Sequence, residues 1–222
     1  MCDSQIAIVI AEQKHRSDII RLMKDSFVPR APMWADLDIG WDIIKDNFEY
    51  VVDATLLDPV SLVAIDQSTP DHRIIGCRLS EIIDLTTANV DEDYFKPPED
   101  KKVRIVAHVL NQLMYCWKGE LKRDGAQKVL EFVVICVEDS YGKQSVGRKL
   151  IEHSLLIARD IGADCVSVAA ASWRAQHIFE KLQFEIKRTL EYAKVVDPDT
   201  GLPYVIPQDG SKVIIWAVKK VK

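Results

Sequence analysis

The chain has 222 residues, 48% hydrophobic and 28% charged, with a formal net charge of -5. That composition excludes wholesale disorder, and the absence of a long basic run excludes a general nucleic-acid binder. The length suits a single domain spanning residues 1–222.

In chain order, the apolar run Ile6 to Ala11 predicts a first strand, too short for a signal peptide or a membrane span. Ser17 is placed to cap a helix over Asp18 to Phe27, with Ile19, Leu22, Met23 and Phe27 at helical spacing. Pro29 and Pro32 end it, and Asp38 to Val52 reads as a second helix. Ser61–Asp66 and Arg73–Ile83 are apolar runs joined by a turn-rich loop, hence two strands. Thr86 to Lys102 is polar, acidic and proline-bearing, a loop, and Val103 to Arg123 carries one broad apolar helical face.

Val129 to Val137 is nearly continuous in apolar residues, as expected of a strand buried on both faces. A polar turn follows, then an amphipathic helix over Ser145 to Ile161 with Gly162 at its C-cap. Cys165–Ala170 (strand), Ser172–Leu182 (helix capped by Ser172), Phe184–Val195 (strand), the turn Asp197–Gly201 and Lys212–Val218 (strand) complete an α/β order. The five cysteines, Cys2, Cys77, Cys116, Cys136 and Cys165, form no CxxC pair and read as reduced thiols in a cytoplasmic protein. The five histidines are dispersed with no HxxxH spacing, so no metal site is expected.

The unit from Val129 to Ile161 is strand, turn, helix. A helix N-terminus presents unpaired N–H groups and a positive dipole end, which attract phosphate, although every such unit supplies one and plain packing explains it equally well. The stretch Val137-Glu138-Asp139-Ser140-Tyr141-Gly142-Lys143-Gln144-Ser145-Val146-Gly147-Arg148-Lys149-Leu150 resembles motif A of the GNAT N-acetyltransferases. Downstream, Ser172 to Phe184, with Glu180-Lys181-Leu182-Gln183-Phe184, is similar to motif B, and the likeness runs over essentially the whole chain. Within the family the nearest likeness is to the invertebrate arylalkylamine N-acetyltransferase-like group.

The resemblance implies a GNAT fold, with a mixed, partly antiparallel sheet of about seven strands, flanked by helices and splayed after the central strand. It implies acetyl-CoA as co-substrate and a small primary amine, such as an arylalkylamine, as acceptor, with direct attack and no acyl-enzyme. The backbone of Ile135, Cys136 and Val137 would pair with the pantetheine. The turn and helix start from Gly142 through Lys143, Gln144, Ser145, Val146 and Gly147 to Arg148 would hold the diphosphate. A monomer or homodimer with no membrane partner is expected.

Five positions depart from the family pattern. Gly142 stands for its Arg or Gln, Ser145 and Gln183 for glycines, Phe179 for a tyrosine acid, and Ala31 for the glutamate of an insect Glu-Pro-Leu element. A positive φ at Ser145 would strain it.

An alkylammonium has a pKa near 10.4, so roughly one molecule in a thousand is neutral at pH 7, and the enzyme needs a base. Glu131 is the first candidate: alternation puts it on one strand face with Val133, Ile135 and Val137, and the resemblance sets it where a strand-borne histidine of the vertebrate-type arylalkylamine enzymes falls. Otherwise Glu131 merely begins the strand, solvated. Glu138 and Asp139 read as turn residues, and His108 as a core or boundary residue. Ser172 is a helix cap or a partner of the thioester region, while Tyr115, Trp34 and Trp41 line an amine pocket or build core. Two rivals stay open: an acyl-CoA-binding protein that has lost its catalytic groups, and acetylation of a protein N-terminus or lysine through an open groove.

Overall fold

The computed structural model describes residues 5–96, 99–197 and 199–221. Cys2, residues 97–98 of the acidic loop and Pro198 of the late turn lie outside the described residues.

Strand β1 (Ile6–Ile10) leads through a short 3-10 turn to helix α1 (Arg16–Leu22), which continues as a π-helical turn over Met23–Phe27. The helix begins before Ser17, which therefore does not cap it. A capping box between Glu12 and His15 turns the chain instead. Past the prolines, α2 (Pro32–Asp36) adds a short helix absent from the sequence reading, with Pro32 at its first turn, where no N–H is needed. Next come α3 (Trp41–Thr55), β2 (Leu62–Asp66) and β3 (Arg73–Asp84).

The expected helix over residues 103–123 is two helices, α4 (Lys101–Leu113) and α5 (Trp117–Arg123). They are separated at Cys116, whose φ of 53° is left-handed and cannot continue a right-handed helix. The remainder is β4 (Lys128–Val137), α6 (Val146–Asp160), β5 (Cys165–Ala170), α7 (Trp173–Lys181), β6 (Glu185–Glu191) and β7 (Val213–Lys220). Gly162 follows α6 with φ 70°, the left-handed residue that ends a helix.

The seven strands form one sheet in the order β1-β2-β3-β4-β5-β7-β6. All pairs are antiparallel except β4–β5. That parallel pair runs from Val129↔Cys165 to Phe132↔Val168 and stops, while β4 continues to Val137 and β5 to Ala170. The sheet therefore opens between its two central strands, as a sheet splayed after β4 requires. Helices α1 to α5 cover one face, and α6 and α7 the other.

Strand β4 does not alternate evenly. Leu79 pairs with Val134 and Ser80 with Phe132, so Val133 is an extra, bulged residue. Before the bulge, Leu130 and Phe132 face α6 and α7; after it, Val134 and Cys136 pack in the opposite core, while Ile135 and Val137 face α6. The expectation that Glu131, Val133, Ile135 and Val137 share one face fails for this reason.

Candidate active site

Two halves meet where the sheet opens. On the α6 side, the upper part of β4 has lost its β5 neighbour. Glu138 N–H donates to the Ile75 carbonyl at 2.8 Å, which makes Gly76↔Val137 a non-hydrogen-bonded pair of the ladder. The N–H and C=O of Val137, and by alternation those of Ile135, turn into the gap. Those of Cys136 turn toward β3, and its side chain is buried with the thiol against the Leu22 carbonyl at 3.8 Å. Of the three residues expected to pair with pantetheine, two present backbone to the gap and Cys136 does not. The Val137 carbonyl accepts from Arg30 Nη2 at 2.6 Å, and the same guanidinium bridges Asp139 at 3.0 Å and the Ser26 carbonyl at 2.6 Å.

From Val137 the chain makes a 3-10 turn (Asp139–Tyr141) and enters α6. Glu138 anchors this turn from beneath, accepting from Arg21 at 2.8 Å and Arg73 at 3.0 Å, and Tyr141 O–H donates to Asp66 at 2.8 Å. The N–H groups of Gly142 and Gln144 are consumed inside the turn, by the carbonyls of Asp139 and Tyr141. Lys149 N–H makes the first bond of the α6 ladder, to Ser145. The N–H groups of Lys143, Ser145, Val146, Gly147 and Arg148 thus precede the ladder, and among the described residues none has a backbone partner.

Ser145 sits at φ 58°, ψ 21°, in the left-handed region, without a capping bond, so the strain expected of a positive φ is present. Gln183 is likewise at φ 58°. Both are positions where the motifs usually hold glycine. A Cβ on Gly147 would lie 3.5 Å from Ile178 and 3.8 Å from Ile135, facing the gap. Arg148 is exposed and bridges Glu152 at 2.8 Å. This half fits a diphosphate and an extended amide chain: free N–H groups at a helix start, exposed basic side chains, and a strand edge with unmatched backbone groups.

On the α4 side, Glu131 is 3% exposed, so it is not the solvated start of a strand. Its Oε1 accepts from Tyr94 O–H at 3.1 Å, and its Oε2 has no hydrogen-bond partner. Burial raises the carboxyl to about 7, against the opposing pull of the Ser167 and Tyr94 hydroxyls and Arg78. Ser167 lies in register with Glu131 and accepts from Trp216 Nε1 at 3.1 Å; it stands near enough to favour the carboxylate without completing Oε2.

On the opposite face of the sheet, that of α6 and α7, Arg78 is 1% exposed, with its guanidinium 3.5 Å over the Phe132 ring centroid. Its Nη1 donates to the Leu79 and Val134 carbonyls at 2.6 and 2.5 Å, while Nε and Nη2 are unpartnered. Burial lowers it to about 9, opposed by the charge of Glu131. Glu131 lies one residue below the point where β4 and β5 part. A carboxyl poised there to exchange a proton near neutral pH is suited to general-base work.

The other expected residues are dispersed. Ser172 is the N-cap of α7, accepting from Ala175 N–H at 3.3 Å, at the upper end of β5. Phe179 is buried with Phe132 and Phe184, centroids 6.4 and 4.9 Å away. Trp34 and Trp41 pack on Phe48 in the core, at 5.6 and 6.0 Å, while Tyr115 is exposed. His108, His153 and His177 are exposed. Sequence reasoning missed Arg30, Arg78 and Tyr94. Arg78 was hidden in an apolar run, and Arg30 and Tyr94 in segments read only as helix breaker and acidic loop.

No family model and no curated protein matches the sequence. Solved structures do match. The structure superposes on arylalkylamine N-acetyltransferase 2 of Aedes aegypti with a TM-score of 0.83 and 18% identity, over 98% of this chain and 99% of that one. It superposes on a Drosophila melanogaster polyamine N-acetyltransferase, which catalyses formation of N-acetylagmatine, with a TM-score of 0.78 and 16% identity, over 97% and 99%. Arabidopsis thaliana NAA60, solved with acetyl-CoA, gives a TM-score of 0.57 and 12% identity over 97% and 98%. The chain has the GNAT fold these proteins share.

Proposed function

We propose that the chain is an acetyl-CoA-dependent N-acetyltransferase acting on a small primary amine. The observation that carries the proposal is the adjacency of two halves at one opening of the sheet. A strand edge and helix start suited to CoA lie on one side, and a buried carboxyl raised to about 7 lies just below the parting of β4 and β5. The fold shared with amine N-acetyltransferases supports it, and an arylalkylamine acceptor is the finer reading.

Acetyl-CoA, when bound, supplies a thioester already activated toward amines. The gap-facing groups of Ile135 and Val137 would orient its chain, and the N–H groups of Lys143, Ser145, Val146, Gly147 and Arg148 would hold the diphosphate. Ser172, at the upper end of β5, would face the thioester region. Glu131 would take a proton from the bound ammonium, exposing the lone pair for attack on the acyl carbon; the C–S bond then breaks, CoA leaves as the thiolate, and the proton the nitrogen sheds as the amide forms goes to that thiolate. Its neutral-range carboxyl matches that task better than an exposed carboxylate near 4.

A second reading, a CoA-binding protein without turnover, has its own support. Phe179 offers no proton to a leaving thiolate, Ala31 offers no carboxylate, and Arg30 already holds the Val137 carbonyl. A thiol-release assay with acetyl-CoA against tryptamine, tyramine, dopamine, polyamines and a peptide N-terminus separates the two, alongside calorimetric titration of CoA. Turnover with a small amine is the expected result. CoA binding without turnover favours the second reading, turnover only with the peptide shifts the acceptor class, and no CoA binding overturns both.

A further inference from the structure

The loop between β3 and α4, read from sequence only as polar and acidic, is clamped at one residue. Phe95 N–H donates to Asn111 Oδ1 at 2.8 Å, and Asn111 Nδ2 returns a bond to the Phe95 carbonyl at 3.0 Å. A side-chain amide that satisfies both backbone groups of one residue fixes that residue like a rung of sheet. The Phe95 ring packs edge-on to Trp34 at 6.4 Å. The neighbouring Tyr94 is thereby held against Trp117, also edge-on at 6.1 Å, with its hydroxyl 3.1 Å from Glu131 Oε1.

We infer that Tyr94 is a positioning residue for Glu131: locked through Asn111 and Trp117, it holds Oε1 and leaves Oε2 as the single oxygen for the substrate ammonium. The functional part of this inference rests on the reading of Glu131 as the base. A buried carboxyl with no fixed partner would swing between rotamers, and each would present a different oxygen. The Tyr94 bond removes that freedom. It also stabilises the charged carboxylate, because a phenol donates and cannot accept a proton from it near neutrality.

The groups facing the carboxyl come from every side. Glu81 stands on β3 in register with Glu131, Tyr94 on the loop, Ser167 and Cys165 on β5, Lys118 on α5 lies near Glu81, and Arg78 acts through its charge from the other face of β3. Of these, Tyr94 is the donor bonded to Oε1, so its removal has a defined direction.

The test follows the Glu131 carboxyl directly by infrared-detected pH titration of the full chain, with the band assigned by its loss in Glu131→Gln. Tyr94→Phe keeps the ring and its packing on Trp117. It is expected to move the midpoint upward by about half to one pH unit, cutting the ionised fraction at pH 7 about two- to fivefold. Asn111→Ala is expected to move it the same way, and CoA affinity measured by calorimetry serves as the check that each variant is folded. An unmoved midpoint in folded Tyr94→Phe overturns the inference. The acid limb of kcat/KM should shift in parallel with the band. A band that moves while the limb stays would sink the base role of Glu131 and leave the Tyr94–Glu131 pair standing.

Discussion

The two halves of the site are made from different material. The proposed cofactor half is backbone: N–H groups ahead of α6 and the unmatched edge of β4, with side chains largely exposed. The proposed acceptor half is side chain: Glu131, Tyr94 and Ser167, brought from two strands and a loop into a dry interior. Backbone groups persist through substitution, so the first half tolerates Ser145 where glycine is usual. The second half has no such reserve, because each buried polar atom depends on the particular partner it meets.

This contrast predicts a graded series of outcomes. Glu131→Gln should lower kcat/KM by about 10²- to 10⁴-fold in steady-state assays while CoA binding by calorimetry is unchanged. An equal loss in both would erase the distinction between the halves.

The same carboxyl governs stability. Its folded value, about 7, lies above the ordinary value of 4.5, so the folded state prefers it protonated. The associated stability is present below about pH 4.5 and is lost as pH rises through 7, by up to roughly 3 kcal/mol. Urea melts at pH 5 and pH 8 should show that loss in the parent chain and its absence in Glu131→Gln.

Glu138→Ala leaves Arg21 and Arg73 without their shared carboxylate beneath the motif A turn. It should cost about 1–2 kcal/mol, a figure held down by the partial exposure of both arginines. CoA affinity should fall with it if the turn is the platform for the diphosphate; unchanged affinity would move that platform elsewhere. The smallest effects are gains. Ser145→Gly and Gln183→Gly relieve left-handed backbone and should each raise stability by about 0.5–1 kcal/mol, read as an increase in Tm. A decrease in either would show that the side chain contributes more than the strain removes.

What could be read from the sequence follows the same division. Strand β5 was placed at its observed bounds and the β4–turn–α6 unit nearly so, because continuous apolar runs and a 3.6-residue period report burial directly. Glu131 was singled out partly by the resemblance and partly by an alternation that the Val133 bulge cancels, since a bulge depends on cross-strand register and leaves no local pattern. The break at Cys116 was invisible for a similar reason, because no proline or glycine announces it. Tyr94 was beyond reach: a tyrosine among acidic residues carries no sign that an asparagine on α4 will lock it over a carboxyl on β4.

The bulge has a wider effect. A regular strand commits odd and even positions to fixed sides for its whole length. Val133 changes the parity halfway along, so a single strand sends Glu131 into one compartment and Ile135 and Val137 into the other. On the proposed reading, two chemistries on opposite sides of the sheet would thus be served from one strand. Deleting Val133 alone would restore regular alternation and leave both addresses as they are, whereas pairing it into the ladder would turn the residues on one side of it to the opposite face.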